Sequence, residues 1–168
     1  MKYIIVILSL SLISCNGTNK GKKEKEYLRH VGDIPIDKKL DDPMFVPCNE
    51  HQATMHYAFE DPNLYKGEKP AIVNAFKNIS FAKDPEMTGY ITIRFMVNCE
   101  GKIGRFRVEQ LDTEYKPKKF NVEFVEAILS TTKSLNGWIP ATRNNKAYDY
   151  YKYLTFKIIE NEIVDILP

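Results

Sequence analysis

From Gly89 to Cys99 the residues Ile91, Ile93, Phe95 and Val97 alternate with Thr92, Arg94, Met96 and Asn98. Alternation of period two places every second side chain on one face of an extended strand. Such a strand needs a second layer to cover its apolar face. Asn98-Cys99-Glu100-Gly101 supplies a turn, and Ile103, Phe106 and Val108 continue as a second strand. The pair reads as an antiparallel hairpin with Cys99 near its tip, and the break in alternation at Gly104 predicts a bulge. Past Pro117 the spacing changes: Phe120, Phe124, Val125, Ile128 and Leu129 recur at threes and fours. That is the period of a helix with one apolar side; Asn121 is placed to cap it, and Asn136-Gly137 to end it. A third, longer strand is predicted from Tyr148, Tyr150, Leu154, Phe156 and Ile158 on one face and Tyr151, Tyr153 and Thr155 on the other. Asn161-Glu162 turns it into a short last strand, Ile163 to Leu167.

This succession resembles the C-terminal domain of TonB-family proteins. The marks are Gly89 opening the first strand, the run Ile91-Thr92-Ile93-Arg94-Phe95-Met96-Val97, Gly101 at the hairpin, a helix ahead of Trp138-x-Pro140-Ala141, and a closing aromatic strand. The stretch Pro43–Phe45 and a helix after Pro70, with Ile72, Val73, Phe76 and Ile79, are similar to the approach seen in lipoprotein members. Pro70 suits the first turn of that helix. The likeness runs from Ala71 to Ile158, about half the chain. It implies an α+β fold: a small antiparallel sheet of three to four strands with one packed helix, plus an N-terminal helical segment. Trp138 is expected as a core aromatic sealing the helix against the sheet. The likeness also implies a protein-recognition module, since TonB domains add an extended segment of an outer-membrane transporter to a sheet edge. By that analogy the edge is Tyr148 to Ile158, with Tyr151 and Tyr153 as partner-binding residues, although the strand Ile163 to Leu167 is placed to cover the same edge. The chain shows neither a membrane-spanning helix nor a long proline-rich spacer, so energy transduction itself is not expected.

The start of the chain carries a different signal. Lys2 precedes an apolar run from Tyr3 to Ser14, which ends on Leu12-Ile13-Ser14-Cys15. The run is shorter than the roughly 20 apolar residues a bilayer span requires. It resembles the signals of bacterial lipoproteins, which implies removal of residues 1–14, acylation of Cys15 by palmitate or a similar chain, and a lipid anchor in a periplasm-facing membrane of the cell envelope. Residues 15–47 then read as the lipidated cysteine and an extended tether: Lys20 to Lys25, with Glu24 and Glu26, form a solvated run of mixed sign, and Pro35, Pro43 and Pro47 keep the stretch leading to the domain extended. Residues 48–168 are expected to form a single TonB-like domain, because about 150 mature residues, in a chain of 43% hydrophobic content overall, support one core and would make two cramped.

Loss of the signal removes one lysine, leaving 23 basic against 22 acidic residues. A nearly neutral chain lacks the concentrated positive charge that phosphate recognition needs, so no nucleic acid is expected as a partner. Acylation of Cys15 leaves Cys48 and Cys99, an even pair that suggests a disulfide closing a loop of about fifty residues. Cys48, His51, His56 and Cys99 offer a second reading as zinc ligands, although two histidines five apart share neither a helical nor a strand face. Asp41-Asp42, Glu60-Asp61 and Asp84 with Glu86 sit beside prolines and read as turn residues rather than acid–base pairs. No nucleophile elbow, metalloprotease motif or phosphate-cradling glycine loop is present. The sequence thus predicts a membrane-anchored, non-catalytic interaction module without a cofactor, whose partner is an envelope protein such as one of the outer membrane. The alternative is a metal- or small-ligand-binding lipoprotein.

Overall fold

Each strand of an alternating hairpin needs neighbours, and this chain recruits them from both ends. The computed structural model describes residues 32–55 and 64–167. The signal, Cys15, the mixed-charge run, His56 and the Glu60-Asp61 pair lie outside the described residues. In chain order a single 3-10 turn (Glu50–Gln52) precedes β1 (Thr54–Met55), α1 (Glu68–Phe76), β2 (Gly89–Val97), β3 (Ile103–Leu111), α2 (Val122–Ser134), β4 (Ala141–Arg143), β5 (Lys146–Tyr148), β6 (Tyr150–Ile159) and β7 (Glu162–Leu167).

The β2–β3 hairpin forms as its alternation requires, with Ile93 opposite Val108. Its turn is held by Asn98, whose Oδ1 accepts the amides of Glu100 and Lys102 at 3.0 and 2.9 Å. Gly101 there has φ +78°, a left-handed conformation that glycine adopts without steric cost. The bulge lies where Gly104 predicts it: between the pairs Arg94–Arg107 and Met96–Gly104, β3 carries one residue more than β2. Arg105 takes φ +55° to accommodate it. β2 pairs along its whole length with β6, from Gly89–Ile158 to Val97–Tyr150.

The far edge of β6 is shared. β1 runs parallel to its first two residues, and β7 folds back antiparallel to Thr155–Ile159. The result is a mixed sheet of five strands with β4–β5 as a separate hairpin, larger than the antiparallel sheet of three to four strands expected from the sequence. Two elements account for the difference. β1 is two residues long, too short to carry a period. The β4–β5 turn rests on Asn144 and Asn145, both left-handed at φ 51° and 59°, a hairpin signal that a short, exposed segment hides.

Both helices cover one face of the sheet. The Asn121 side chain accepts the Phe124 amide at 3.0 Å, which caps α2 as predicted. Phe124, Val125 and Ile128 of α2 bury against Ile91, Ile93, Phe95, Phe156 and Ile158. Trp138 joins this core edge-on to Phe95 at 5.1 Å and to Tyr65 at 5.0 Å. α1 adds Ile72 and Phe76, while Val73, assigned to the same face by spacing, is 43% exposed. Ile79 packs on the core from beyond the helix end.

The other face is covered by residues that the sequence presents as tether. Ile34 is 2% exposed and packs with Met96 and Tyr151, flanked by Phe45, Ala53 and Met55. The Phe45 ring lies where a side chain on Gly104 would be, so this close approach requires glycine at the bulge. The stretch from Gly32 to Pro47 is therefore an arm bound to the sheet, and the apolar residues with which it covers that face, Ile34 and Phe45, lie upstream of the boundary at Cys48.

Candidate functional site

Three arginines hold the arm. Arg94 donates to the Gly32 carbonyl at 2.6 Å, Arg105 to that of Ile34 at 3.1 Å and Arg107 to that of Pro35 at 2.6 Å. Arg107 also grips Asp41 through both carboxylate oxygens at 2.7 and 2.9 Å, and Arg105 grips Glu50 at 2.6 and 2.8 Å. The guanidinium beside each carboxylate holds its pKa below the ordinary value. Asp41 is therefore an ion-pair anchor, its side chain 4% exposed, as well as the turn residue expected. Asp42 and Asp84 accept amides two residues ahead, from Met44 and Glu86. These contacts hold the arm and the turn at Asp84 in place and are structural.

Cys48 and Cys99 are joined by a disulfide, which ties the arm to the β2–β3 turn. Behind it lies Asp149, fully buried, whose two oxygens accept the amides of Asn49 and Cys99 at 2.6 and 2.9 Å. Among the described residues, the ligand-bearing group that converges with the two cysteines is this carboxylate and not His51. Ligation of zinc by Cys48 and Cys99 needs their thiolates, and the disulfide removes both. His56, the remaining member of the proposed set, lies outside the described residues.

The chemically unusual place is the shared edge of β6. β1 ends opposite Tyr151 and β7 ends opposite Thr155, so Lys152, Tyr153 and Leu154 have no strand partner on that side among the described residues. This notch opens into a cavity of about 120 Å³ walled by Leu64, Ile72, Leu154, Ile166 and Trp138. Lys152 lines it from within. Alternation along β6 explains why: Tyr150, Leu154, Phe156 and Ile158 face the helices, and Lys152 occupies the same phase. Its burial lowers the pKa of the ammonium, and no carboxylate pairs with it among the described residues. The buried indole N–H of Trp138 likewise has no acceptor among them.

The two tyrosines expected at a docking edge separate. Tyr153 stands half-buried at the rim of the notch. Tyr151 is 2% exposed beneath the arm, so it offers no contact surface. The expected edge is correspondingly reduced from the whole strand to three residues, because β7 and β1 occupy the rest. Lys152 was legible without coordinates: a lysine standing in the apolar phase of an aromatic strand is out of pattern, and that irregularity marks the cavity. No known protein family, curated protein or solved structure matches the chain.

Proposed function

We propose that this protein is a non-catalytic interaction module, tethered to a membrane of the cell envelope through Cys15, that receives an extended segment of an envelope protein at the notch in β6. The observation that carries this reading is the three-residue gap between β1 and β7, where backbone groups and an apolar cavity stand side by side. Strand addition uses both: backbone hydrogen bonds give affinity, and a pocket for one side chain gives selectivity. The other open border of the sheet, β3, suits the role less well. Its bulge at Arg105 and its charged residues blunt it, as edges are blunted against unwanted pairing. The likeness to TonB C-terminal domains supports the same class of function.

The reading is tested with a photo-crosslinking residue in place of Tyr153 and, as control, in place of Val122, which is exposed on α2. The expected result in intact envelopes is a discrete protein adduct at position 153 and none at 122. Equal labelling at both positions, or none at either, refutes docking at the notch.

A further inference from the structure

Lys152 and Trp138 line one largely apolar cavity: the buried Trp138 indole N–H meets no acceptor, and the half-buried Lys152 ammonium meets no carboxylate, among the described residues. Of the other charged residues on its lining, Lys69 is paired with Asp165 at 3.1 Å and Glu68 is exposed at the mouth. A buried indole N–H without an acceptor is costly, an ammonium beside apolar walls lacks a counter-charge, and an anionic group with two oxygens supplies both needs. The walls set what that group is attached to. A cavity of about 150 Å³ holds a molecule the size of benzene, so 120 Å³ takes one medium side chain and excludes a long acyl chain.

The strands set where the ligand ends. At about 3.3 Å per residue the notch is roughly 10 Å long. A strand passing straight through meets Met55 of β1 at one end and Leu167 of β7 at the other and must bend away from the sheet twice. A segment that terminates in the notch bends away only once.

We infer that the notch recognises the free C-terminus of a partner chain, with its apolar last side chain in the cavity and its α-carboxylate on Lys152 and the Trp138 indole. The inference rests on the docking reading above and specifies its partner by chemistry: an extended C-terminal tail ending in a residue such as Leu, Val or Phe.

Trp138 is the single tryptophan of the chain, so its emission reports occupancy directly. The probes are three hexapeptides, Thr-Val-Thr-Val-Thr followed by Leu, Val or Phe, each prepared with a free carboxylate and as the C-terminal amide, together with decanoate. At least one free-acid peptide is expected to change the emission saturably and to bind tenfold or more tightly than its amide. In Lys152→Met, whose fold is checked by its thermal transition, the acid is expected to weaken to the level of the amide while the amide is unchanged. Equal binding of acid and amide overturns recognition of the chain end and leaves strand docking standing. Absence of binding by every peptide overturns both, and tighter binding of decanoate overturns the peptide in favour of a small carboxylate. Equal weakening of acid and amide in Lys152→Met overturns the role given to the lysine.

Discussion

The helix-covered face of the sheet is closed by apolar contact, with Phe95, Phe124, Ile128 and Phe156 entirely withdrawn from solvent. The arm-covered face is closed by a small apolar cluster around Ile34, Met96 and Tyr151 and, around it, by arginines on carbonyls and carboxylates. The first kind of closure is non-directional and proportional to area, so it tolerates similar side chains in many arrangements. The second depends on geometry at particular atoms and on charge, so it responds to pH and to single substitutions that leave the first untouched. One sheet thus carries a cover that sets global stability and a cover that can be loosened separately.

The largest effect should come from the helix face. Phe124→Ala removes a fully buried ring and is expected to cost about 3–5 kcal/mol in denaturant unfolding. A loss below about 1 kcal/mol would mean that α2 does not hold the core together. Next comes the link between the faces. Replacing both Cys48 and Cys99 by serine opens a bridge across 51 positions, worth up to about 4 kcal/mol on the chain-entropy account. Unfolding of oxidised, reduced and serine forms measures it, and the reduced and serine forms should agree.

Asp41→Asn leaves Arg107 without its charged partner and is expected to cost about 1.5–3 kcal/mol. The loss should appear as faster amide exchange in residues 34–45, with β2 and β6 protected as before. Acid provides the same perturbation without mutation. Asp41 and Glu50 have folded pKa values below their unfolded ones, so their contribution is complete above the ordinary carboxylate value near 4 and disappears as pH falls through the lowered values. Exchange of arm amides should therefore rise below about pH 4, and in Asp41→Asn that acid dependence should be reduced. The smallest effect is local: Asn121→Ala removes the α2 cap at a cost of about 1 kcal/mol. If it instead releases the arm, the two faces are not independent.

The elements on the helix face were readable because each carries its own period: two in β2 and β6, three and four in α2. The bulge was readable from Gly104, and the cap from Asn121. The arm was not. Ile34 is a lone apolar residue among prolines and charges, and Arg94, Arg105 and Arg107 read as the solvated side of a hairpin until their partners, 55 to 72 positions away in sequence, are known. At the candidate site Tyr153 was identified and Lys152 was overlooked, although its phase in the strand distinguished it. The loss of Tyr151 from the surface followed from the arm and could not be read from the strand alone.

By itself the sequence determined the strands β2, β3, β6 and β7 and the helix α2, and which side of α2 is apolar, because these depend on local spacing. The tertiary structure alone decided how much of the β6 edge remains open and what covers the second face. Both depend on where segments from opposite ends of the chain meet, a property of distance in space that no local period records.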